Sequence, residues 1–353
     1  MTVASKKPSA SIPAPVQDSA LGAAITITNR HKGRSNVIAT LAIVNNYLAI
    51  AACAVICEHV FTDIYPVSDA TWWTIYAFFA LVIASRLRAF ENFVHEASHN
   101  NLFTKPRAHE WLEFLYAFPV FRLLKDYRTQ HLEHHKYLGD PARDADAVRM
   151  VYLGFIRPDV DGYRLNSGKF NWLMFGLPLT GWLHYEYLIT TFAEYWTSPA
   201  SYPSKALYWA VVMSYIHMYN HWRLFGLYYV VPWFGILTIT RYWAELGEHI
   251  GQDMRSDWGN SRTNDGFWHQ WWIHPINDGL HAVHHLNSQV PFHRLRHAHE
   301  ELVKESPEFR ERTTISNGVL ETFSQIYRNP TYVREASGGR AEWDSGQVWA
   351  SLK

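Results

Sequence analysis

The sequence predicts an all-α integral membrane protein with about four transmembrane helices and a cytoplasmic helical cap that carries a histidine-rich site. Three observations lead there. Apolar runs approaching twenty residues alternate with polar stretches, histidines recur three times at helical spacing outside those runs, and aromatic residues are abundant. The 16 tryptophans fit a chain with membrane–water interfaces to line, while a mean hydropathy of only −0.20 requires much of it to lie in water. Lys+Arg and Asp+Glu balance at 32 each, so net charge gives no support to a nucleic-acid partner.

Residues 1–35 are rich in Ser, Ala and Pro and read as a disordered cytoplasmic tail. Arg30, Lys32 and Arg34 hold the entry side of the first span inside. Residues 37–57 form that span, broken in polarity only by Thr40, Asn45 and Asn46; about twenty residues match a bilayer at ~1.5 Å each. Cys53 and Cys57 lie one helical turn apart within it and read as small core residues. The loop 58–70 has acids but no Lys or Arg, as expected outside. Residues 71–85 return, opened by Trp72 and Trp73 and closed by Arg86 and Arg88 on the cytoplasmic side.

The stretch 111–124 is apolar but short and contains Pro119, which fits an interfacial or re-entrant piece. Residues 172–196 carry Pro178, His184, Glu186 and Glu194, while 206–219 and 224–243 make a hairpin around a short polar turn. For the three histidine repeats to form one site, they must lie on one side of the membrane. This places 172–196 at the interface and leaves four spans. The membrane domain is therefore expected over 36–328, with an exposed tail over 329–353.

The boxes read H-E-A-S-H from His95, H-L-E-H-H from His131 and H-A-V-H-H from His281. Residues at i, i+3 and i+4 share one helix face, so each box aims two or three imidazoles in one direction. Neutral imidazole is a good ligand for first-row transition metals. Eight candidates follow: His95, His99, His131, His134, His135, His281, His284 and His285; His249, just beyond the last span, is a ninth. Nine nitrogens are too many for one ion. Divided between two they leave open positions, whereas structural zinc wants a closed tetrahedral set, often with cysteine. Zinc has no redox role, and open nitrogen-ligated iron activates O₂. Glu96, Asp126, Glu133, Asp144 and Asp278 are candidates to hold imidazole N–H groups. His184, His217, His221, His269, His274, His293, His297 and His299 lack box spacing and read as interface or surface residues.

The ordered series HxxxH, HxxHH, HxxHH with hydrophobic segments between resembles the membrane fatty acid desaturase superfamily, which also contains alkyl hydroxylases and carotenoid ketolases. The resemblance runs from about residue 37 to about residue 302. It extends to the flanks H-E-A-S-H-N-N-L-F, H-L-E-H-H-K-Y-L-G-D-P and H-H-L-N-S-Q-V-P-F-H-R-L. It implies two Fe ions, O₂ as co-substrate, and a lipid or long-chain acyl substrate (acyl-lipid, acyl-CoA or acyl-ACP). The site would lie on the cytoplasmic face of a bacterial inner membrane or the ER, with both termini on that side. It also implies that His249, in an E-H pair, completes the ligand set, with Glu245, Glu248 or Asn277 competing for a tenth position. The continuation H-H-L-x-x-x-V-P-x-x-R-L looks more like acyl desaturases than ketolases, which favours desaturation over hydroxylation. No H-P-G-G signature of a fused cytochrome b5 domain is present. Electrons are therefore expected from a separate ferredoxin or cytochrome b5 system, docking near Lys125, Arg128, Arg143 and Arg296. A histidine-rich membrane metal transporter is the reading from another class. It would place ligands mid-membrane in repeated halves, which this chain lacks.

Overall fold

The structure, a computed structural model, describes residues 19–336; residues 1–18 and 337–353, which hold most of the two expected tails, lie outside the described residues. The main helices are α1 (Ser19–Asn29), α2 (Asn36–Ile64), α3 (Asp69–Ser98), α4 (Leu124–Tyr137), α5 (Ala145–Leu153) and α6 (Trp182–Thr197). They continue as α7 (Tyr202–Met218), α8 (Trp222–His249), α9 (His281–Leu286), α10 (Phe292–Glu305) and α11 (Val319–Arg328). The strands β1 (Arg262–Asn264) and β2 (Thr314–Ser316) pair in parallel, Thr263 opposite Ile315.

Among the described residues three helices are long and apolar enough to cross a membrane: α2, α3 and α8. The four expected spans are thus three by this measure. The fourth candidate, α7, has 17 residues, about 25 Å at ~1.5 Å each against ~30 Å of hydrocarbon. It starts at Tyr202 with Pro203 in its first turn and stops before Asn220, whose φ of 54° ends the helical path. The ends of the long helices are tied together. Glu58 at the close of α2 accepts from Arg223 Nη1 (2.5 Å) and Tyr228 OH (2.7 Å) at the opening of α8. Tyr76 OH near the start of α3 donates to Leu227 O (2.8 Å). α3 and α8 therefore start at one end of the bundle, where α2 finishes, and carry His95 and His249 towards the other.

Arg86 and Arg88, read as markers of the membrane boundary, are engaged inside the protein. Arg86 donates to Trp271 O (3.1 Å), and buried Arg88 pairs with Glu91 and Asp278. The 172–196 stretch is interrupted at Gly181, whose φ of +80° suits glycine. Beyond the break, α6 buries Leu183, Tyr187, Thr191 and Glu194, a stripe at helical spacing. Buried Lys205 of α7 pairs with Glu194 and donates to Phe121 O and Thr191 O (3.2 Å each), which fastens α7 to α6. Cys53 and Cys57 are buried free thiols.

Parts of both expected tails are ordered by packing. α1, inside the 1–35 stretch, buries Ala24 and Ile27 in the cluster that holds Leu295 and Leu302. Arg30 and His31 pair with Glu301 of α10. An eleven-residue helix is marginal alone, so composition could not signal it. After α11, Thr331 pairs with Tyr163 and Tyr332 with Asp253 across isolated bridges.

Candidate metal centre

Four helix ends converge on one site. His95 lies in the last turn of α3 and His99 is its C-terminal cap. His131, His134 and His135 share α4, His249 closes α8, and α9 brings His281, His284 and His285. Strain and close packing aim α9. Ile276 and Asn277 both adopt positive φ, 58° and 67°, which is costly for a β-branched residue and turns the chain sharply before Asp278. Gly279 follows because a Cβ there would lie 2.3 Å from Asn264 O.

The imidazoles fall into two groups, one of His95, His99, His131, His135 and His284, the other of His134, His249, His281 and His285. Within the first, Nε2 atoms approach at 2.8 Å (His99–His131), 2.9 Å (His95–His284 and His135–His284) and 3.1 Å (His131–His135). Within the second they approach at 3.0 Å (His281–His285) and 3.2 Å (His249–His281). Two donors at right angles on a metal with ~2.1 Å bonds stand about 3.0 Å apart. A single pair of rings can share a proton, but five and four ring nitrogens converging within 4.8 Å of one another form a ligand set. His95, His134 and His249 commit Nδ1–H to Asp278 (3.0 Å), Asp144 (2.9 Å) and the Asn260 carbonyl (2.9 Å), so a neutral ring there turns a lone pair inward at Nε2. Facing lone pairs repel unless a proton or a metal cation sits between them. The donor set fits two transition-metal ions with five and four imidazoles.

Electrostatics agree. Burial first, then neighbouring imidazoles, hold His131, His281, His284 and His285 well below the ordinary histidine range, in the neutral ligand form. His134 goes the other way. Burial opposes its charge, but Asp144 and Asp146 raise it to about 9, so a metal there replaces a proton. Asp144 also caps α5 by accepting from Asp146 N (3.0 Å) and takes Gly139 N (2.8 Å), which locks its carboxylate in place. Asp144→Asn is expected to weaken metal retention about 10–100-fold, read as metal content after dialysis against graded chelator. Unchanged retention would remove Asp144 from the centre.

The outer acids divide. Asp144 and Asp278 hold histidines; Glu96 instead accepts from Phe292 N (2.8 Å), Asp126 from Ser198 Oγ (3.1 Å), and Glu133 is exposed. Glu245, Glu248 and Asn277 lie outside both imidazole groups. Glu245 takes Arg149 Nη1 (2.6 Å) and lies 3.6 Å from Arg241 Nε; Asn277 donates to Phe292 O (3.0 Å). Glu248 stands 3.7 Å from Nε2 of both His274 and His281. His269, His274 and His299, expected at interface or surface, are buried; His269 contacts His274 (3.2 Å) and Thr322 Oγ1 (2.9 Å). The Asn260 carbonyl was not foreseen, since a backbone acceptor has no sequence signal. Of the four basic residues expected to receive an electron carrier, Arg128 is tied to Glu110 and Arg296 to Asp265, while Lys125 and Arg143 are exposed.

A cavity of about 110 Å³ touches His95, His131, His134 and His281, and a second of about 120 Å³ adjoins it. A long-chain acyl substrate would call for an apolar passage here. The walls are charged instead, with Arg88, Glu91, Arg122, Arg241, Glu245 and Glu248 around the first cavity.

A family model described as fatty acid desaturase matches residues 70–316. The chain is 24% identical over 277 residues to dihydrorhizobitoxine desaturase of Bradyrhizobium elkanii, a match covering 74% of each. It is 30% identical over 117 residues to a sphingolipid delta(4)-desaturase of Drosophila melanogaster, covering 31% of this chain and 33% of that protein. The family match begins at the second long helix and passes through all three boxes and His249; this chain belongs to the fatty acid desaturase family.

Proposed function

We propose that the protein is an O₂-dependent di-iron desaturase that introduces a double bond into an aliphatic substrate at the cytoplasmic face of a membrane. The observation that carries this is the pair of imidazole groups at the ends of membrane-length helices, with inward Nε2 atoms 2.8–3.2 Å apart. All nine histidines are proposed as ligands. Iron held there supplies O₂ activation and hydrogen removal from an unactivated C–H bond. The reaction balances as –CH₂–CH₂– plus O₂, two electrons and two protons giving –CH=CH– plus two waters. The chain's own part is positional. Asp278, Asp144 and the Asn260 carbonyl hold three rings at Nδ1, and the adjoining cavity fixes which carbon faces the site. The two relatives are named for different substrates, so membership of the family leaves the substrate open.

The electrons are proposed to come from a separate ferredoxin or cytochrome b5, docking by exposed Lys125 and Arg143. The test is iron-loaded protein incubated with a cell extract under O₂, with and without a ferredoxin and its reductase, and products read by mass. Loss of two hydrogens, only with the carrier, is expected. Gain of one oxygen instead would make the enzyme a hydroxylase, and repeated turnover without a reductant would remove the carrier.

α7 is proposed as the fourth crossing, since α3 and α8 both run from one end of the bundle to the histidine end. Cysteine placed at His221 should then react with an impermeant thiol reagent from the non-cytoplasmic side. Labelling from the cytoplasmic side would reverse this assignment.

A further inference from the structure

The polar groups bordering the two cavities are unequally partnered. Arg88 is bound by Glu91 (3.3 Å) and Asp278 (3.2 Å), and Arg149 by both oxygens of Glu186 (2.8 Å each) and by Glu245. Arg122 and Arg241 are different. The Arg122 guanidinium has no hydrogen-bond or ion-pair partner among the described residues; its contact is the Tyr187 ring, 5.3 Å from the centroid. Arg241 lies over the same ring at 3.9 Å and is only loosely paired, with Glu91 Oε1 3.5 Å from Nη1 and Glu245 Oε1 3.6 Å from Nε, and its Nη1 makes no hydrogen bond. One aromatic platform therefore carries two guanidinium groups with unused donors, and both border both cavities. Tyr127, stacked on His131 with centroids 5.4 Å apart, borders both as well, and its hydroxyl has no partner among the described residues.

We infer that Arg122 and Arg241 form a carboxylate-binding site, so that the substrate is a polar aliphatic carboxylate and not an uncharged or thioester-linked long chain. This rests on the desaturase reading above and names its substrate class. Two considerations favour it. Packing methylene groups against guanidinium donors that lack protein acceptors leaves buried charge unpaired, which is heavily penalised. A planar guanidinium fork matches a carboxylate with two parallel hydrogen bonds. The acids nearby leave Arg122 without an acceptor: Glu186 and Glu245 bind Arg149, Glu91 binds Arg88, Glu194 pairs with Lys205, Asp146 lies 3.4 Å from His134, and Glu248 faces His274 and His281. Arg241 has only the loose contacts to Glu91 and Glu245. The cavity that holds both arginines also touches His131 and His134. The carbon that reacts therefore lies only a few bonds from the carboxylate.

The test is calorimetric titration of the iron-loaded, detergent-solubilised protein at constant ionic strength with hexanoate, with hexanamide and with palmitoyl-CoA. Hexanoate should bind at least about tenfold more tightly than hexanamide. Arg122→Leu and Arg241→Leu should each weaken hexanoate about tenfold or more at unchanged iron content, and Arg122→Lys should retain part of the affinity. Arg122 lies outside the long helices, so its variants decide the matter if Arg241→Leu folds poorly. Equal binding of hexanoate and hexanamide, or no binding of either, overturns the inference. So does hexanoate binding that survives Arg122→Leu, which would mark direct coordination at iron, or palmitoyl-CoA binding tighter and indifferent to both substitutions. Wild-type protein that retains no iron defeats the metal-centre reading instead, which the hexanoate comparison does not test.

Discussion

Replacing His135 or His285 by alanine is expected to strip metal and turnover together. His135 Nε2 lies between His131 (3.1 Å) and His284 (2.9 Å), and His285 Nε2 lies 3.0 Å from His281. Each variant takes one inward donor from a different group, so each should fall below two bound ions. Activity should drop by about a thousandfold or more, ~4 kcal/mol in the barrier, because the proposed reaction uses both ions. Fold should survive, since both rings are only partly buried. His217→Gln is the matched control. His217 is exposed on α7, outside both groups, and should keep metal and turnover. Metal analysis and product assays on the three variants check this. Two ions and full turnover in either alanine variant would end the proposed assignment.

How much of this was legible in the sequence depends on how local each feature is. The eight box histidines were readable because helical spacing alone decides which side chains share a face. The same geometry explains an error. Glu96 follows His95 directly and so points about 100° away, where it meets Phe292 N. Asp144 serves His134 from ten residues on, but Asp278 reaches His95 across 183 residues, and only the folded chain joins them. Arg86 and Arg88 look like boundary markers because a cation at the end of an apolar run reads the same whether it meets lipid headgroups or a buried acid. The charged cavity was invisible for a related reason. Arg122, Arg149, Glu186, Glu245 and Arg241 come from four separate segments, and their pairing gives no periodic signal. Helix α1 was missed because it is stabilised by α10, not by its own composition.

The largest effect on stability is expected at Arg88, which the sequence presents as a surface anchor. It is buried on α3 between Glu91 (3.3 Å) and Asp278 (3.2 Å), and Asp278 in turn holds His95 at Nδ1 (3.0 Å). Arg88→Met keeps most of the volume but takes the cation from buried Asp278 and leaves Glu91 only the looser contact with Arg241 at 3.5 Å. Breaking such a pair costs about 3–5 kcal/mol, mainly through the charges left behind. Loss of the fixed Asp278 carboxylate should also let the His95 ring turn, so metal retention should weaken with stability. Arg88→Lys restores charge as a single point donor in place of a fork, and should recover only part of both. Adding Asp278→Asn to Arg88→Met removes one of the stranded charges. The double variant should therefore be more stable than the sum of the two single losses, by about 1 kcal/mol or more. Thermal unfolding in detergent, with metal content measured on the same samples, separates the two effects. Strict additivity of Arg88→Met and Asp278→Asn would mean that the two side chains do not act as one unit. The link from the membrane helix through Asp278 to His95 would then have no energetic content.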